Sequence, residues 1–181
     1  MEANLNNDFK YDKIIINLDS LQGIQSSNTN NFGCYFKLND TIKNAVAIQV
    51  IDTIVISEQS AQYNPYEDCF FVILNNIERA TTYNKYNNIY GNPDFNIHKY
   101  FEKVEYTDNS IPNSRNISVS HIGTSTGSFS DSGTYMFNPV IPTLDRFELT
   151  LKDKDFKDIP IENIFSVKLS ICIYTLKKSF G

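Results

Sequence analysis

The chain is 181 residues long, 41% hydrophobic and 20% charged, the profile of a globular protein of one-domain size. Its net charge is −5 and its only arginines are Arg79, Arg115 and Arg146, so it lacks the basic face that direct nucleic-acid binding requires. No apolar run approaches the roughly 18 to 20 residues of a membrane-spanning helix, and membrane insertion is not expected.

Residues 1–10, MEANLNNDFK, are polar and asparagine-rich and read as a flexible N-terminal arm, without the basic and apolar regions of a secretory signal. Residues 11–181 read as a single domain. A first strand is expected in YDKIIIN, where Ile14, Ile15 and Ile16 are β-branched, and LDSLQGIQSSNTNN follows as a polar loop. FGCYFKL predicts a second strand and NDTIKN a turn.

The segment AVAIQVIDTIVIS, residues 45–57, is the most strand-prone part of the chain. Its apolar residues alternate through Val46, Ile48 and Val50, and the phase then changes near Ile51, which a bulge would explain. DCFFVIL is nearly continuous in apolar residues, as a strand buried on both faces would be.

Over residues 75–96 the chain is rich in tyrosine and asparagine, with Gly91-Asn92-Pro93 favouring loop and short strand over helix. HKYFEKVEYT alternates through Val104 and Tyr106, and RNISVSHI is a short strand. GTSTGSFSDSG reads as a surface loop; its glycines are not followed by the lysine and helix of a phosphate-binding loop.

TYMFNP and DRFELTL are further strands, separated by a bend at Pro139 and Pro142. In the second, Phe147, Leu149 and Leu151 point inward, and Arg146, Glu148, Thr150 and Lys152 outward. The last strand, IFSVKLSICIYTL, is expected to place Phe165, Val167, Leu169, Ile171 and Ile173 on its buried face. With eight or nine strands, long connections and no convincing helix, the chain reads as all-β: two antiparallel sheets in a single jelly-roll β-sandwich.

Candidate chemistry is sparse. His98 and His121 are the only histidines and lack the spacing of a metal site, so no metal, cofactor or catalytic residue is assigned. Cys34, Cys69 and Cys172 sit in apolar contexts and read as reduced core residues rather than a disulfide scaffold. Two sequons, at Asn39 and Asn116, lack a secretory context. The alternating acids of DKDFKD, residues 153–158, suit a solvated hairpin loop, with weak divalent-ion binding as the other reading. Tyr83, Tyr86, Tyr90 and Phe95 are the candidate interface, since aromatics are enriched where proteins meet; core packing is the competing explanation.

The order of these motifs resembles the minor capsid and penton (vertex) proteins of large double-stranded DNA viruses and virophages. The residues that carry the resemblance are Ile14-Ile15-Ile16 to Asp19-Ser20, Phe32 to Leu38, and Ile42-Lys43-Asn44-Ala45-Val46 through Ile56-Ser57. They also include the closing Phe137-Asn138-Pro139, Ile141-Pro142, Leu144-Asp145-Arg146 and Phe147 to Leu151. The resemblance covers both ends of the chain but not residues 76–130. Two features depart from it: Leu21-Gln22-Gly23 stands where many relatives carry an arginine, and Phe156 replaces a turn glycine.

The resemblance implies a non-enzymatic structural protein of an icosahedral capsid, most like a penton forming homopentamers at five-fold vertices. A minor protein cementing major capsid capsomers is the alternative within that family. Implied partners are further copies of the chain, the major capsid protein and other minor capsid proteins. The implied location is the virion, assembled in the host cytoplasm or a virus factory. A soluble jelly-roll module that binds carbohydrate or a receptor is the competing class.

Overall fold

β-Branched and aromatic residues concentrated in runs, punctuated by Asn, Gly and Pro, give ten strands among the described residues. In the computed structural model the described residues are 11–26, 30–58, 63, 67–74, 77–78, 80–87, 93–107, 115–121 and 134–177. For 80–87, 93–96, 116, 120 and 121 the description is of the backbone alone. The proposed arm at residues 1–10 and the loop GTSTGSFSDSG lie outside them.

The strands are β1 (Tyr11–Asp19), β2 (Ile24–Gln25), β3 (Gly33–Ser57), β4 (Cys69–Leu74) and β5 (Ala80–Asn87). They continue with β6 (Pro93–Tyr100), β7 (Glu102–Glu105), β8 (Asn116–His121), β9 (Thr134–Lys152) and β10 (Ile164–Leu176). Among the described residues the only helical element is a single 3-10 turn, Ile161–Asn163.

All pairings are antiparallel, and β3 is the strand that organises them. Its first part, Gly33 to Lys37, pairs with the second half of β9, which pairs in turn with β4, and β4 with β7. Its last part, Ala45 to Ser57, pairs along one side with β10 and on the other with the first half of β9 (Ala45 to Gln49) and then β8 (Asp52 to Ser57), and β10 pairs with β1. The chain thus forms two four-strand runs, β1-β10-β3-β8 and β3-β9-β4-β7, an order consistent with a jelly roll. The sheet curls at a register shift within the β3–β9 pairing. Three extra residues enter between the Lys37–Arg146 and Ile42–Leu144 pairs, and Asn44 adopts a left-handed φ of 53°. The expected turn NDTIKN is this bend, carried inside one long strand.

Both runs face one core. Ile48, Val50 and Val55 of β3 meet Phe70, Val72 and Leu74 of β4, Phe147, Leu149 and Leu151 of β9, and Val167, Leu169, Ile171 and Ile173 of β10. The inward residues of β9 are those its alternation predicts. The bulge at Ile51 is present: Ile171 pairs with Val50 and Ser170 with Asp52, so Ile51 is the extra residue. Inward positions therefore run Ile48, Val50, then Thr53, Val55, Ser57, all buried.

Three expectations are corrected. A shift between Ile164 and Ser166 changes the phase of β10, so Ile164 enters the core and Phe165 stays half-buried outside it. A second shift, around Ala45 to Ala47, moves Val46 off the face of Ile48. Val46 joins Ala47, Cys172 and Tyr174 in a separate buried cluster, so β10 is covered on both faces at that end. Finally, TYMFNP and DRFELTL are one strand: the bend at Pro139 and Pro142 is an irregularity within β9, where the four residues 137–140 stand opposite Val46 alone, three more than β3 supplies.

Candidate interaction surfaces

The aromatic-rich insertion between β4 and β7 is a two-stranded sheet of its own, β5 with β6. Buried residues hold its two ends. Ile77 donates its N–H to Leu74 O at 2.6 Å and is buried, and Phe101, also buried, donates to Val72 O at 2.8 Å. Across the base, Lys99 Nζ contacts Glu78 Oε2 at 2.6 Å, and the carboxylate raises the ammonium pKa.

Two ring contacts dock the returning strand onto the body. Tyr100 packs on Phe71 with centroids 4.9 Å apart, and His98 stacks on Phe156 at 4.3 Å and 19°. Phe156 also packs on Phe71 at 5.3 Å. His98 is thus a packing residue of the hairpin base.

The register divides the sequence candidates. Tyr83 pairs with Ile97 and Phe95 with Lys85, which places Tyr83, Phe95 and Ile97 on one face of the hairpin by register. Tyr86 pairs with Asp94 and falls on the opposite face, with His98 and Tyr100, the face docked to the body. Tyr90 lies outside the described residues. Ile97, which the sequence did not single out, is 63% exposed.

A second surface was missed altogether. On the outer side of the β1-β10-β3-β8 run, Ile54 pairs directly with Val119 and Ile56 with Ile117. Ile117 is 43% and Val119 37% exposed; Ile54 and Ile56 are half-buried beside them. The signal was present in TIVIS, where apolar residues occupy both faces of β3 while one face alone meets the core. At the margin of this patch, the Arg115 guanidinium lies 3.3 Å from the centroid of the Phe165 ring and Arg115 Nε bonds Glu58 Oε2 at 3.2 Å.

The acidic turn after β9 is built on itself. Asp153 Oδ1 accepts the N–H groups of Asp155 at 2.9 Å and Lys157 at 2.8 Å. Lys152 pairs with Asp158 at 2.7 Å, and Lys154 with Asp68 at 3.3 Å. These carboxylates cap the turn and balance lysines, and among the described residues no group of three or more His, Cys, Asp or Glu could hold a metal ion. The three cysteines are free and buried.

A third surface feature is a cavity of about 450 Å³ on the outer side of the β3–β9 pair, lined by residues of β2, β3, β9 and the turn after it, and by Ser26, Asn31 and Phe32 between β2 and β3. No protein-family model matches the chain, and no curated protein matches it.

Proposed function

We propose that this protein is a structural component of an icosahedral viral capsid, and within that role a penton that forms five-membered rings. The observation that carries this reading is a β-sandwich of jelly-roll-like strand order with an exposed apolar patch and, apart from it, an exposed isoleucine on the hairpin. The patch is Ile54, Ile56, Ile117 and Val119, and the isoleucine is Ile97, on the face of the β5–β6 hairpin that its register shares with Tyr83, Lys85, Phe95 and Lys99. Single exposed hydrophobics are ordinary on a monomer, but contiguous ones on a rigid sheet mark a contact surface. Two different surfaces on one protomer suit a head-to-tail ring, in which each copy offers one surface to each neighbour.

The motif order at both ends of the chain supports the capsid assignment over a generic sandwich. In this reading the major capsid protein and other minor capsid proteins are the remaining partners. The test is the mass of the purified chain across a concentration series by multi-angle light scattering, with electron microscopy of the same samples. Five-fold rings are expected; a protein that stays monomeric up to millimolar concentration contradicts the proposal.

A further inference from the structure

We infer that the cavity on the outer side of the β3–β9 pair is a binding site for a neutral saccharide. Its floor is a two-by-two set of cross-strand neighbours: Gly33 lies opposite Thr150, and Tyr35 opposite Glu148. Gly33 keeps the floor open. A methyl group there would lie 3.4 Å from Thr150 Cγ2 and 3.6 Å from Ser26 Cβ, so any larger side chain fills the space between β2 and β9. The volume, about 450 Å³, is within the range of small-ligand sites and sufficient for one or two sugar rings.

The chemistry of the lining selects the ligand class. Asn31 brings an amide that both donates and accepts, Ser26 and Thr150 bring hydroxyls, and Glu148 brings a carboxylate acceptor, while the Gln25 amide is turned to Ser20 O at 3.4 Å. The Tyr35 ring and Ile24 supply apolar surface among these polar groups. A sugar matches that mixture, with hydroxyls that donate and accept around its ring and C–H faces suited to an aromatic.

Other ligand classes fit less well. An anion would meet Glu148 and Asp158 with no lysine or arginine among the lining residues. A cation would find Asp158 already paired with Lys152 at 2.7 Å. A wholly apolar ligand would cover polar groups without replacing their hydrogen bonds with water. The site uses neither the hairpin nor the Ile117 patch, so it stands or falls separately from ring formation.

The experiment is saturation-transfer NMR on the full chain with glucose, galactose, mannose, N-acetylglucosamine and lactose at millimolar concentration. Transfer to at least one sugar is expected. Gly33→Leu should weaken its affinity at least tenfold, and Glu148→Gln should weaken it several-fold. Glu148 is exposed, so that variant tests the site even if Gly33→Leu fails to fold. Absence of transfer to every sugar overturns the inference. So does transfer that both folded variants leave unchanged, or an equal response when tetramethylammonium replaces the sugar.

Discussion

Phe156 sits at φ 61°, a left-handed conformation that costs a residue with a side chain about 1 to 2 kcal/mol. Its ring is the compensation, since it stacks on His98 and packs on Phe71, and such ring pairs contribute about 0.5 to 1.5 kcal/mol each. Replacing it with glycine removes strain and contact together, whereas alanine removes the contact and keeps the strain. Phe156→Gly should therefore stay near the parent in urea denaturation, with Phe156→Ala about 1 kcal/mol less stable than the glycine variant. Equal stability of the two variants would show that the backbone at 156 carries no strain. The cysteines give a second residue-level expectation. Burial pushes the Cys34 thiol up to about 11, with the charge of Asp19 adding to it, and burial likewise raises Cys69 and Cys172. Above pH 9 an unfolded chain releases thiol protons that the folded chain retains, so the thiols make stability fall as pH rises from about 9 to 11. Below pH 9 they contribute no slope. Denaturation midpoints should follow that course, with a shallower decline in Cys34→Ala. A disulfide reagent at pH 8 should label none of the three thiols until the protein unfolds, and prompt labelling of the native protein would contradict their burial.

At the scale of elements, the second half of β9 is where sequence and structure agree most closely. Phe147, Leu149 and Leu151 are fully buried between β3 and β4, and the residues between them face out. Leu149→Ala should cost about 2 to 5 kcal/mol by leaving a cavity under the joint of the two runs. Arg146→Ala, on the outward face of the same strand, should cost under about 1 kcal/mol. Thermal melts of the two variants check the difference, and similar losses would mean that the alternation has been misassigned. Alternation is legible wherever one face is apolar and the other polar, as in β9. A bulge is legible only where it brings unlike residues together: Ile51 breaks a clear period, and its bulge could be read directly. The shift at Ile164–Ser166 could not, because Ile164 and Phe165 are both apolar and either could point inward. The hairpin was legible as aromatic composition but not as two faces, since the assignment of Tyr83 and Phe95 to one and Tyr86 to the other depends on register. The saccharide cleft was invisible, because Gly33, Tyr35, Glu148 and Thr150 become neighbours only when strands more than a hundred residues apart pair.

At the scale of the whole molecule, the proposed ring requires two unlike surfaces. In a head-to-tail ring the surface on one copy meets a different surface on the next, whereas in a two-fold dimer like meets like. If the Ile117 patch docks against the Ile97 face of a neighbour, an aspartate in either surface places a charge in an apolar contact and should abolish rings. Both positions are exposed in the protomer, so Ile117→Asp and Ile97→Asp should leave its melting temperature within a degree or two. Mixing the two variants separates the arrangements. The intact hairpin of the Ile117→Asp protein can engage the intact patch of the Ile97→Asp protein, but the remaining surfaces of that pair are both blocked. The mixture should therefore form one-to-one heterodimers that grow no further, while each variant alone stays monomeric. Light scattering on the separate and mixed proteins distinguishes this from like-to-like contacts, for which one or both variants would dimerise unmixed. Monomers in every sample, from a parent that does form rings, would place the ring contact on some other surface of the sandwich.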